Sequence, residues 1–148
     1  MSKHYKYPKW RTIVDGWWSR LFPIASEREF IRLMGWFWFW RYGFRHQGHV
    51  PPYRPDFVSY RHHLIIEIEG KSKYKSGDIV RDYEYGQFQD YRHATLLRKG
   101  WTVKYVWYED FNPNSSKSNP LKTRRELRAW VRRQVWHKRI PFLKRIGL

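Results

Sequence analysis

From Leu64 to Lys71 the chain reads as a β-strand whose side chains divide between two faces: Leu64, Ile66 and Ile68 on one, Ile65, Glu67, Glu69 and Lys71 on the other. One face is apolar, and the other ends in two carboxylates and an ammonium. Upstream, Asp56 heads the run Phe57-Val58-Ser59, and Arg61, His62 and His63 occupy the reversal between the two runs, so residues 54–71 form a hairpin. Before it, Ser26-Glu27-Arg28-Glu29 fits a capping box with Ser26 as N-cap and Glu29 reaching back to its amide. Phe30, Leu33, Met34 and Phe37 follow at helical spacing. Residues 36–60 then turn aromatic and β-prone around Gly43, Gly48, Pro51, Pro52 and Pro55, which predicts two short strands about a proline-rich turn.

After the hairpin, residues 73–86 read as a polar loop able to act as a flap. Residues 87–99 read as a helix with Phe88, Tyr91, Thr95 and Leu96 near one side, stopped by Gly100. Residues 101–108 alternate as a strand. This order of helix, strands, helix and strand predicts an α/β domain over residues 26–111. Residues 1–25 show no clean period beyond a short helix over 12–21, and form a basic, aromatic arm. Residues 112–120 are a polar linker. Over residues 121–148, Thr123-Arg124-Arg125-Glu126 repeats the capping-box pattern and opens a helix that buries Leu127, Trp130, Val131 and Val135 and turns Arg124, Arg128 and Arg132 outward.

Charge narrows the function. A net charge of +17 implies a polyanionic partner, nucleic acid before membrane. From Lys117 to the end, eleven Lys and Arg stand against one acid, Glu126, so this segment carries ten of those seventeen charges. Aromatic residues make up 20% of the chain, enough to build a core or to stack on bases. The run Trp36 to Trp40 is assigned to core and interface packing. Without cysteine there is no disulfide framework and no thiolate zinc site, and the spacing of His46, His49, His62 and His63 matches no standard zinc pattern. The apolar run 35–42 is too short to cross a bilayer, and no secretory signal is visible, so the expected location is the cytoplasm. Like-charged acids on an otherwise buried strand are costly unless a cation neutralises them, so the Glu67 and Glu69 face invites a hard divalent metal.

Pro55-Asp56, followed thirteen positions on from the acid by Glu69-Gly70-Lys71, resembles the PD-(D/E)xK signature of the restriction-endonuclease-like nucleases. Phe44-Arg45-His46-Gln47, Tyr53, Asp56-Phe57-Val58 and Leu64 to Gly70, then Arg92, Leu96, Gly100 and Val103, fall in the order of the small endonuclease domains related to the very-short-patch repair endonuclease. The likeness spans about residues 26–111. It implies a restriction-endonuclease-like core, a mixed central sheet flanked by helices, here with a basic C-terminal helix. It also implies metal-dependent hydrolysis of DNA.

In that reading Asp56 and Glu69 bind Mg2+, with Mn2+ as a substitute, and Lys71 orients the attacking water. Glu67 is a further ligand or base, or the partner of a neighbouring Arg. Glu27 is the acid expected from the first helix. Arg45, Lys73, Arg92, Arg124, Arg128 and Arg132 are expected to contact DNA. Where many relatives carry a His after the second acidic motif, this chain has Lys71-Ser72-Lys73, which favours a lysine-assisted reaction. Three alternatives stay open. Gln87 to Tyr91 also resembles the Q-x-x-x-Y motif of the RecB-like exonuclease branch. A structure-selective nuclease acting on junctions, flaps or single strands shares the same centre. A non-catalytic nucleic-acid-binding protein would need only the charge and the aromatics. Cutting both strands would call for a homodimer, a point the sequence leaves open.

Overall fold

The computed structural model describes residues 24–70 and 79–139. Lys71, Lys73, residues 1–23 of the arm expected over 1–25 and the end of the chain from residue 140 lie outside them. The elements run α1 (Ala25–Met34), α2 (Trp36–Tyr42), β1 (Phe44–His46), β2 (Phe57–Ser59), β3 (Leu64–Glu69), α3 (Ile79–Arg98), β4 (Thr102–Trp107), a short 3-10 turn (Tyr108–Asp110) and α4 (Pro120–Arg139). The four strands form one mixed sheet in the order β1-β2-β3-β4. β1 and β2, and β2 and β3, pair antiparallel, whereas β3 and β4 run parallel with α3 as the crossover between them. The domain is therefore α/β, with helices on both faces of a mixed sheet.

The two faces differ in chemistry. Leu64, Ile66 and Ile68 of β3 join Phe30 and Met34 of α1, Trp38 of α2, Phe57 of β2 and Leu127, Val131 and Val135 of α4 in the main core. Phe30 is fully buried at its centre, with its ring 4.9 Å from Phe57, 5.8 Å from Phe111 and 6.1 Å from Phe39. On the opposite face a smaller cluster joins Ile65 of β3, Val58 of β2, Val50 and Leu96 of α3. The two-residue period expected of β3 is thus the division between the two layers.

Several sequence expectations need correction. α1 starts a residue before Ser26, with Ile24 as its N-cap, and Glu27, rather than Glu29, reaches back to accept the Ile24 amide at 3.0 Å. Glu29 instead pairs with Arg32 at the surface. Residues 36–42, expected to open a strand, are helical: Gly35, at φ +81°, breaks the α1 stripe and α2 begins immediately. Trp38 alone of α2 is buried, stacked on Phe44 at 4.9 Å, while Trp36, Phe37 and Trp40 are exposed and so are not core. The proline-rich stretch makes one Val50–Tyr53 bridge around a cis Pro51–Pro52 bond rather than a full strand. Residues 79–86, expected in a flap, belong to α3. The capping of α4 also lies a turn earlier, where the Asn119 side chain accepts the Lys122 amide at 3.1 Å.

Candidate active site

The β2–β3 hairpin places Asp56 beside the acids of β3. Phe57 pairs with Ile66 and Val58 with Ile65, so Asp56, the next residue out, lies across from Glu67 on the face shared by Val58 and Ile65. Its Oδ2 accepts the Ile68 amide at 2.7 Å, which fixes the carboxylate against the strand. Glu67 and Glu69, two residues apart, occupy that face and are both almost completely buried.

Facing them is one stripe of α3. Tyr85, Gln89, Arg92 and Leu96 recur at spacings of four, three and four, a single side of a helix. The stripe runs against β3 in reverse order. Leu96 packs with Ile65, Arg92 bonds Glu67, and the Tyr85 hydroxyl donates to Glu69 Oε2 at 3.3 Å. The lengths agree, since four strand steps cover about 13 Å and eleven helical steps about 16 Å. Gln89 donates to the Tyr85 hydroxyl at 2.8 Å, while its own buried carbonyl oxygen has no hydrogen-bond partner among the described residues.

Electrostatics single out Glu67. Burial raises its pKa well above the ordinary carboxylate value of 4.5, and the nearby Asp56 and Glu69 push the same way. The Arg92 guanidinium and the Asp56 backbone amide pull it down without offsetting that effect. Arg92 itself is held between this carboxylate and the Tyr53 ring, 5.5 Å from its guanidinium carbon. Expected on DNA, Arg92 is buried under the acids instead, with its side chain only 10% exposed.

Glu27 is also buried, within a set of hydrogen bonds of its own. His46 Nε2 lies 2.8 Å from one carboxylate oxygen and Gln47 Nε2 donates to the other at 2.7 Å, in addition to the Ile24 amide. Burial pushes its pKa upward, yet the hydrogen bond and attraction of His46, with the Ile24 and Gln47 bonds, hold it below 4.5. Its link to the acids is through backbone, the Gln47 amide donating to the Asp56 carbonyl at 2.7 Å. These bonds give Glu27 the work of joining α1 to β1.

Of the cations expected on DNA, Arg45 is exposed on β1 opposite Val58, which puts it on the face of the acids. The basic helix lies on the other face: α4 packs into the main core, Arg128 donates to the Met34 carbonyl at the end of α1 at 3.3 Å, and Arg132 is exposed. Gln87 and Tyr91 of the exonuclease-like motif are exposed on the side of α3 away from the acids. Tyr85 falls within the loop expected over residues 73–86 but lies in α3, and its helical spacing to Gln89 and Arg92 is the signal in the sequence that marks it.

Arg92 pairs with Glu67, and the carboxylates of Asp56 and Glu69, which accept from the Ile68 amide and the Tyr85 hydroxyl, are the other acidic oxygen groups on that face. That donor set suits Mg2+, which is commonly held by one or two carboxylates together with water and substrate oxygens. Among the described residues no three His, Asp or Glu side chains converge into a full metal cage. No protein-family model matches the chain. No curated protein and no solved structure matches it either.

Proposed function

We propose that this chain is a metal-dependent DNA endonuclease of the restriction-endonuclease-like type, hydrolysing phosphodiester bonds at the Asp56, Glu67 and Glu69 cluster. The observation that carries the reading is the burial of Glu67 between two further acids at one end of the β2–β3 hairpin. A protein does not place three acids together on a buried sheet face for stability, because each ionised neighbour raises the cost of the others. A net charge of +17 around such a cluster suits a polyanionic substrate.

Asp56 and Glu69 would hold Mg2+ or Mn2+, and the bound ion would polarise the scissile phosphate and acidify a water. Arg92 neutralises Glu67 and so keeps a third negative charge from crowding the pair. The Tyr85 hydroxyl orients Glu69, and Gln89 orients Tyr85, an arrangement in which outer groups fix the ligands. The open Gln89 side-chain carbonyl can accept a hydrogen bond from a water at the site. Arg45 supplies positive charge on the same face for the DNA backbone. Lys71 lies outside the described residues, and the motif assigns it the orientation of the attacking water.

The test is incubation of the protein with supercoiled plasmid in Mg2+ or Mn2+, beside EDTA controls and the Asp56→Ala and Lys71→Ala variants. Metal-dependent nicking lost in both variants is the expected result. DNA binding without any nicking by the unmutated protein would reject catalysis and leave a nucleic-acid-binding protein.

A further inference from the structure

At the far end of β3 from the acids, and on the opposite face of the sheet, a cavity of about 240 Å³ opens between the end of α2, the hairpin turn and α4. Arg41 and Tyr42, Arg61 and His62, and Arg132, Val135 and Trp136 line it. Three guanidinium groups and an imidazole thus surround one space, and among the described residues no carboxylate lines it. Among the described residues none of the three arginines is paired with an acid.

The chain folds against the repulsion this creates. Arg132 Nε donates to the Arg128 carbonyl at 3.4 Å, a neutral partner that offsets no charge. Lys138 donates to the His62 carbonyl and adds a further ammonium beside the turn. Burial, and then repulsion from Arg124 and Arg132, lowers the pKa of neighbouring Arg128. The cavity is too small for a folded partner, and its charge rejects a cation. Trp136, 57% exposed although large and aromatic, supplies a flat apolar wall at the rim.

We propose that this cavity binds a backbone phosphate of an unpaired nucleic-acid strand, with the adjoining base stacked on Trp136. Guanidinium groups from three separate elements can grip the phosphate oxygens from different directions, and an indole accepts any base face. Duplex DNA keeps its bases stacked inside and can offer only the phosphate. An unpaired strand offers both. The cavity stands about 17 Å along β3 from Glu69, so one nucleic acid touching both places would carry a single-stranded segment beyond the position of the acids. The choice of polymer rests on the proposed nuclease reading, while the phosphate chemistry stands on the cavity alone.

The experiment measures fluorescence anisotropy of a labelled twenty-residue oligothymidine and of a duplex of equal length, in EDTA, so that cleavage plays no part. Arg61→Ala, Arg41→Ala, Trp136→Ala and Lys122→Ala are compared with the unmutated protein, and thermal unfolding checks each variant. Lys122 is exposed near the start of α4, outside the cavity, and serves as the charge control.

Losing one charge-assisted phosphate contact should weaken binding about tenfold in the Arg61 and Arg41 variants, with Lys122→Ala changing it less than about twofold. Trp136→Ala should weaken oligothymidine binding about fivefold or more and leave the duplex nearly unchanged, because only an unpaired base can stack. Equal losses for Lys122→Ala and Arg61→Ala would reduce the cavity to one part of a diffuse positive surface and overturn the proposal. So would oligothymidine affinity unaffected by Trp136→Ala. Should a variant fail to fold, an oligothymidine bearing a photoreactive base decides the matter on the unmutated protein: crosslinking at Trp136 supports the site, and crosslinks mapping elsewhere reject it. A plasmid-nicking failure would reject catalysis and leave these binding results intact.

Discussion

Arg92 of α3 donates to the Glu67 carboxylate of β3 across the layer boundary, and both side chains are almost fully buried. Above the raised folded pKa of Glu67 these are two charges removed from water that depend on each other, so breaking the pair there costs more than forming it contributes. Arg92→Ala should destabilise the protein by about 3–5 kcal/mol, read from urea unfolding, because it strands a buried acid. Adding Glu67→Gln to that variant should recover much of the loss. If Arg92→Ala unfolds with an unchanged midpoint, the pair is not the fastening described.

The raised pKa of Glu67 gives stability a definite pH dependence. Between 4.5 and its higher folded value, the native protein keeps a proton that the unfolded chain has released. Stability therefore falls as pH rises through that window, by up to about 1.4 kcal/mol per pH unit from this group. Glu67→Gln should flatten that part of the curve. Glu27, held below 4.5, acts in the opposite sense: its contribution is present above 4.5 and is lost as pH falls through its folded value. Thermal unfolding of Glu67→Gln and Glu27→Gln across pH 3 to 8, against the unmutated protein, separates the two.

Under the nuclease reading, divalent metal binds the folded chain alone. At a hundredfold excess over its dissociation constant, Mg2+ should then stabilise the protein by about 2.7 kcal/mol. Asp56→Ala should abolish that increment. Tyr85→Phe keeps the ring and removes the hydroxyl that orients Glu69, so it should lower metal affinity or nicking about 10- to 100-fold with little change in stability. A Tyr85→Phe protein with undiminished nicking and metal affinity would remove Tyr85 from the site.

Two packing positions give sharper tests of the fold. Phe30→Ala should cost about 3–5 kcal/mol, since three other rings surround it in the main core. Gly48 faces the fully buried Val58, and a Cβ added there would stand 2.4 Å from Val58 Cγ2. Gly48→Ala should therefore cost about 1–3 kcal/mol by overpacking. Both are read as shifts in the urea midpoint.

The period-two pattern of residues 64–69 and the apolar stripe of Leu127, Val131 and Val135 were legible in the chain because both depend only on local geometry. Strand alternation set which residues of β3 share the acid face, and the turn at residues 60–63 set which strand carries Asp56 beside them. Local pattern could not decide residues 36–42, since a run of Trp and Phe satisfies a strand or a short helix alike. There the left-handed Gly35 and the buried stacking of Trp38 on Phe44 chose the helix. Nor could it rank the three acids or place the cations. Tyr85, Gln89 and Arg92 face Glu67 and Glu69 only because the βαβ crossover lays α3 against β3, and α4 lies on the other face because its stripe completes the main core. Residue type and spacing thus determined which groups share a face, whereas the packing of layers decided which charges meet, because electrostatic partners are set by distances that no sequence separation contains.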